Sequence, residues 1–202
     1  MSRAVGVLGG AFNPPHIGHL LLAQEAVVAL GLDELVLVPT GEAPHKVIDP
    51  EPGPAVRLEM TAAAIAAVPE LAVSDVEVGR EGPSFAFRTL ELLADEHPGS
   101  QLTFVMGADV AAGLERWKRP ERVLELASIA VAGRPGFDLG EIDSTLARLG
   151  AEGPAERIEM PPVGISSTLV RERVAAGLPV RWMVPEPVER LIADGGLYGA
   201  GS

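Results

Sequence analysis

Cysteine is absent from this 202-residue chain, which excludes disulfides, thiolate zinc ligands, iron–sulfur clusters and thiol nucleophiles. Lysine is almost as scarce, with Lys46 and Lys118 the only two. Aromatic residues make up 4% of the chain, so each tryptophan invites a question about its use. Basic charge is in deficit: 28 Asp and Glu against 16 Lys and Arg leave a formal charge of -12. That balance argues against a nucleic-acid or anionic-membrane partner. It leaves room for a nucleotide ligand, because a local cluster of Arg, Lys, His and helix N-termini reverses the sign inside one cleft. No uncharged apolar run reaches the ~20 residues that span a bilayer, and no basic segment followed by an apolar core opens the chain, so no signal peptide is expected. These absences predict a soluble cytoplasmic protein, and the length predicts one domain over residues 1–202.

What is present is an alternation. Apolar, β-rich runs at Val5–Leu8, Leu35–Pro39, Ala72–Val78, Leu102–Met106, Ile129–Ala132 and, more weakly, Arg157–Met160 are separated by helical patterns. The helices are expected at Gly18–Leu30, Ala55–Val68, Phe85–His97, Val110–Leu114, Pro120–Leu126, Leu139–Leu149, Ser167–Ala176 and Pro187–Asp194. Such an order predicts a doubly wound, Rossmann-like α/β fold, a parallel sheet with helices on both faces and a small C-terminal helical part at about residues 165–195. Ligands bind such sheets outside the carboxyl ends of the strands. Three polar, glycine-bearing stretches fall there: Gly9–His19 after the first strand, Thr40–Lys46 after the second and Gly107–Asp109 after the fourth.

The first of these is the most informative. Gly9 and Gly10 allow a sharp turn and close approach to a ligand, while Pro14 and Pro15 forbid helix immediately before the histidines. A helix should therefore begin near Ile17 or Gly18, with its free amides and positive dipole end beside the loop, where a phosphate is favoured. His16 and His19, three apart, can share one face. A packing or capping role is the plain reading of such histidines; the Gly-Gly, Pro-Pro and His-x-Gly-His arrangement favours a phosphate-handling loop. No third histidine or nearby carboxylate completes a metal ligand set.

Other stretches add charge and hydroxyls. Pro44-His45-Lys46 places a compact ammonium, suited to phosphate as a point charge, on a loop. Ser166, Ser167 and Thr168 open a helix with Arg171 about one turn in, which combines an N-cap with a second anion cradle. Trp117, flanked by Arg116, Lys118 and Arg119, suits stacking on an aromatic ring better than a deep core. Asp109 either accepts hydrogen bonds from a ribose or base, or caps the next helix. Trp182, within the apolar stretch Val180–Val184, reads as packing, and His97 as a surface or satisfied core histidine. Walker, Gly-x-Gly-x-x-Gly and His-Glu-x-x-His patterns are all missing.

With Gly9-Gly10-x-Phe12-x-Pro14-x-His16-x-Gly18-His19 at one end and Ile165-Ser166-Ser167-Thr168-x-x-Arg171 at the other, the chain resembles the His-x-Gly-His nucleotidyltransferase superfamily. Pro44-His45-Lys46, Gly107-Ala108-Asp109, Trp117, Arg134-Pro135-Gly136 and Val184-Pro185-Glu186 make it similar to the bacterial nicotinate-nucleotide adenylyltransferases. The resemblance implies transfer of the adenylyl group of ATP to nicotinate mononucleotide, giving deamido-NAD and pyrophosphate by direct in-line attack. It implies magnesium held mainly through the ATP phosphates, with no metal ligands from the protein. It casts His16, His19, Lys46 and Arg171 as catalytic. ATP would be bound by Gly9, Gly10, Ala11, Phe12, Gly18, Gly107, Asp109 and the Ile165–Thr168 segment. The acceptor would meet Asn13, His45, Lys46, Ser84, Phe85, Ala86, Arg134 and Trp117, the last stacking on the pyridine.

The chain also departs from that family. Ala11 and Asn13 stand where a threonine and an aspartate are usual, Ser84-Phe85-Ala86 where Ser-Tyr-Thr is usual, and Gly133 where an arginine is frequent. Backbone N–H groups reading the acceptor carboxylate would make these side-chain losses matter little, and Arg88 could add a positive charge. These departures keep two alternatives open: another acceptor such as nicotinamide mononucleotide, or a nucleotide-binding protein without turnover. A monomer and a homo-oligomer are both compatible with the sequence.

Overall fold

Apolar segments become the strands β1 (Ala4–Gly10), β2 (Glu34–Pro39), β3 (Leu71–Val73), β4 (Gln101–Gly107), β5 (Ser128–Ala132) and β6 (Glu156–Ile158) of the computed structural model, which describes residues 2–43, 50–133 and 136–200. The strands pair in parallel in the order β3-β2-β1-β4-β5-β6. Around them lie α1 (Ile17–Leu30), α2 (Pro54–Ile65), α3 (Ala86–Glu96), α4 (Ala108–Ala111), α5 (Pro120–Leu126), α6 (Leu139–Arg148), α7 (Ser167–Ala175) and α8 (Glu186–Asp194). The expected doubly wound α/β fold is what forms. The chain winds outward from β1 one way and from β4 the other, so the loops after these adjacent strands diverge and leave a crevice at the carboxyl edge of the sheet.

Period-two alternation along the strands sorts side chains to two faces. Val5, Val7, Val36, Phe104 and Ile129 join Leu90 and Leu93 of α3 and Ile142 of α6 in one cluster. Leu8, Leu35, Leu37, Val105 and Ala130 join Ala23 and Ala26 of α1 in the other. Because both faces are covered, the strands read as nearly continuous apolar runs. A third cluster joins Met60 of α2 to Val170 and Val174 of α7, Val180 and Val184, and Val188 and Ile192 of α8. That cluster anchors the C-terminal helices beside the sheet.

Some boundaries differ from expectation for local reasons. The strand expected over Ala72–Val78 stops at Val73. Val76 donates its amide to Ser74 Oγ and Gly79 donates to the Asp75 carbonyl, so the chain turns and brings Glu77 inward. The helix expected over Val110–Leu114 instead starts at Ala108, directly after β4, and gives way to a 3₁₀ turn at Leu114–Arg116. Trp182 does not pack inside: it is 86% exposed. Val184 and Met183 both donate to the Val180 carbonyl, a single helical turn that aims Val180 and Val184 at the core and Trp182 away from it. No helix among the described residues is long and apolar enough to cross a membrane.

Candidate active site

A cleft of about 1240 Å³ opens over the carboxyl edge of the sheet, between the loops that follow β1 and β4. One end is built from the loop between β1 and α1. Phe12 takes a left-handed backbone, φ 47°, which folds its ring back over Gly10 and edge-on to His19, centroids 5.0 Å apart. His16 is the N-cap of α1. Its Nδ1 accepts the Gly18 amide at 3.1 Å, while the His16 amide donates to Nδ1 of His19 at 3.2 Å. The two rings lie 3.8 Å apart. A Cβ on Gly18 would sit 3.0 Å from the His16 ring, so a glycine there lets the ring fold onto its own helix.

This reciprocal cap has a chemical consequence. A neutral imidazole with one nitrogen accepting carries its proton on the other. With both Nδ1 atoms accepting backbone N–H groups, His16 and His19 are both held as Nε2–H tautomers. Both line the cleft, next to the positive end of α1.

The N-terminus of α7 closes the same end. Ser166 caps the helix, accepting the Leu169 amide at 3.2 Å. Ser167 Oγ donates to the Pro14 carbonyl at 2.9 Å, and Arg171 Nη1 donates to the Asn13 carbonyl at 2.8 Å. Of the three hydroxyls expected to form a cradle, one is a cap and one is a tie to the β1–α1 loop. Thr168 and the amides of Ser167 and Thr168 remain to face an anion. Ile165, Thr168 and Arg171 all border the cleft.

Asn13 lines the cleft, with its side chain held by the protein. It is buried; Nδ2 donates to the Pro50 carbonyl at 2.8 Å, and Oδ1 accepts the Tyr198 hydroxyl at 2.5 Å. Its side chain thus ties the first loop to the segment before α2 and to the C-terminal turn. Burial pushes the Tyr198 hydroxyl above its ordinary pKa, against the pull of the nearby Arg171 charge.

The far end of the cleft is aromatic. Trp117 is half-buried, edge-on to Phe104 at 5.9 Å. Lys118 Nζ sits 4.6 Å from the centre of the Phe85 ring, and Arg119 lies 5.0 Å from that of Phe87. Ser84 Oγ accepts the Gly41 amide at 3.1 Å, and Ala86 opens α3 at the cleft wall. Gly107 and Asp109 border the cleft where β4 passes into α4. Arg88 does not supply the charge expected of it: it pairs with Glu91 at 3.2 Å. Glu91 is held below the ordinary carboxylate range by Arg122 and then Arg88. His45, Lys46 and Arg134 lie outside the described residues; Ala43 and Gly133, just before those stretches, line the cleft.

Two residues not singled out from sequence hold the ends together. Arg57 is fully buried; its Nε donates to Glu51 at 2.9 Å, Nη1 to the Ala11 carbonyl at 2.8 Å and Nη2 to the Gly41 carbonyl at 3.2 Å. Its signal was an arginine on the apolar stripe of α2, shared with Met60, Thr61 and Ile65. Glu77, also buried, accepts the Gly41 amide at 3.2 Å and the Thr89 hydroxyl. A Cβ on Gly41 would lie 2.4 Å from the Glu77 carbonyl oxygen, so this junction requires glycine. Among the described residues no three His, Asp or Glu side chains converge as a metal site.

Residues 7–173 match the cytidylyltransferase-like family. The chain is 43% identical over 202 residues to the probable nicotinate-nucleotide adenylyltransferase of Roseiflexus sp., covering 98% of each chain. It is 35% identical over 196 residues to the nicotinate-nucleotide adenylyltransferase of Bacillus subtilis, covering 97% of this chain and 98% of that one. The fold also superposes on a Plasmodium falciparum nicotinic acid mononucleotide adenylyltransferase, complexed with APC in one structure and with NaAD in another, with TM-score 0.76, 16% identity and 97% of both chains covered. With a histidine pair locked over one end of the crevice and this likeness running along almost the entire chain, the protein belongs to the nicotinate-nucleotide adenylyltransferase family.

Proposed function

We propose that the cleft transfers the adenylyl group of ATP to nicotinate mononucleotide, yielding deamido-NAD and pyrophosphate. A phosphate oxygen of the mononucleotide attacks the α-phosphorus of ATP in line. The new P–O–P bond forms as the bond from the α-phosphorus to the bridging oxygen of the β-phosphate breaks, and pyrophosphate leaves with that oxygen. No covalent enzyme intermediate is needed, so the chain's task is positioning and charge stabilisation.

The observation that carries this reading is the reciprocal histidine cap. Both rings are oriented before substrate arrives, with Nε2–H as the donor each offers to phosphate oxygens. Gly9, Gly10, Ala11, Phe12 and Gly18 shape the floor under ATP, with Gly107 and Asp109 beside its nucleoside. Thr168, the α7 amides and Arg171 hold the β and γ phosphates, with Ser166 and Ser167 fixing that helix. Trp117 stacks on the pyridine, near Ser84, Phe85 and Ala86. Asn13 acts by positioning, since its side chain is engaged within the protein. His45, Lys46 and Arg134 enter from the resemblance alone, on the acceptor side. Magnesium enters from the resemblance, as an ion borne by ATP; bound there, it would neutralise phosphate oxygens. The chain works as one domain in the cytoplasm, as a monomer or a homo-oligomer.

The test is pyrophosphate release from ATP and magnesium with nicotinate mononucleotide, nicotinamide mononucleotide or phosphopantetheine supplied in parallel. Preference for nicotinate mononucleotide is expected. Preference for either other acceptor, or ATP binding without release, overturns the assignment.

A further inference from the structure

Among the described residues Lys118, like Arg119, lies on an aromatic ring rather than against a carboxylate. Arg88, Arg122, Arg148 and Arg157 each meet a carboxylate. Among the described residues no carboxylate pairs with Lys118, whose recorded contact is the face of Phe85. An ammonium resting on a ring keeps its N–H groups for a further partner. Lys118 also lines the cleft, directly after Trp117. On the neighbouring wall Ala86 has no polar atom in its side chain, Ser84 Oγ accepts the Gly41 amide, and α3 starts without a side-chain cap, so that wall offers a hydroxyl and backbone amides but no formal positive charge. Glu77, on the same wall, is an acceptor and is occupied by Gly41 and Thr89.

We infer that Lys118, seated on Phe85, is a specificity-determining residue that binds the ring carboxylate of the acceptor and so separates a carboxylated pyridine nucleotide from its neutral amide counterpart. The inference rests on the proposed reading of the cleft as a pyridine-mononucleotide adenylyltransferase. At the phosphate end both acceptors present the same charge, so the histidines and Arg171 cannot tell them apart. At the aromatic end they differ by one full negative charge, and the cation there converts that difference into affinity. The pairing with Phe85 restrains a flexible side chain, which lowers the entropy lost on binding.

The experiment measures kcat/KM for nicotinate mononucleotide and nicotinamide mononucleotide, at low and high potassium chloride, for the wild type and for Lys118→Gln, Lys118→Arg and Phe85→Leu. Lys118→Gln is expected to lower the nicotinate-to-nicotinamide ratio about ten-fold, the size of a charged hydrogen bond, through KM on the nicotinate side. Lys118→Arg should retain most of the ratio, and Phe85→Leu should lose part of it. Salt should erode the wild-type ratio and leave that of Lys118→Gln flat. A ratio unmoved in Lys118→Gln, or equal losses with both acceptors, overturns the role of Lys118 while leaving the adenylyl transfer intact. A wild type that transfers to neither mononucleotide overturns the proposed function and this inference with it.

Discussion

The two ends of the cleft are held by different means. The phosphate end is a local construction: His16, Gly18 and His19 lock one another through the backbone within four residues. The aromatic end is assembled from afar, with Trp117, Lys118 and Arg119 lying on Phe104, Phe85 and Phe87. Backbone hydrogen bonds fix a tautomer and a direction. Aromatic and cation–π contacts fix a surface but permit side-chain exchange. The first suits charge that must be met in the same place at every turnover; the second suits an acceptor ring whose chemistry a family can vary.

Arg57 joins the two ends, and its loss gives the largest effect expected. Arg57→Ala leaves the Ala11 and Gly41 carbonyls without their donor and should cost about 3–5 kcal/mol in urea denaturation, with activity falling at both ends. His19→Ala separates the ends instead. It removes one oriented donor and should lower kcat by about 10²–10³-fold in a pyrophosphate-release assay, while ATP binding by calorimetry changes much less.

How much of this was legible beforehand follows the same division. The β1–α1 loop could be read from its prolines, glycines and histidine spacing because its bonds are short in sequence; the helix start at Ile17 came from that alone. The sheet was legible because both faces are buried and the apolar runs are continuous. Asn13 meeting Tyr198 spans 185 residues, and no local pattern announces it. Arg88 was expected to charge the cleft and turned to Glu91, a choice made by neighbours on α3 and α5. Trp182 was expected to pack because its neighbours are apolar, yet one helical turn puts it outside. Arg57 was the avoidable omission, since a charged residue on an apolar stripe signals a buried partner.

Smaller effects sharpen the contrast. Tyr198→Phe leaves Asn13 Oδ1 without its donor and should cost about 1–2 kcal/mol. Because burial raises the Tyr198 pKa, its contribution is complete below the ordinary tyrosine value of about 10 and declines as pH rises beyond it. Denaturation curves should therefore show an alkaline loss in the wild type that Tyr198→Phe lacks. At the low end, Arg88→Ala should barely shift the denaturation midpoint, since its pair is solvent-exposed, and should leave the acceptor ratio unchanged.

The central claim is that the phosphate end is ordered before any nucleotide binds. Isotope-edited NMR of the imidazole nitrogens of His16 and His19, near neutral pH and without ligand, tests it directly. The account predicts Nε2 protonated and Nδ1 accepting in both rings, with ATP and magnesium shifting the Nε2–H signals and leaving the tautomers as they were. A mixture of tautomers in the free protein that resolves only when ATP is added would contradict it.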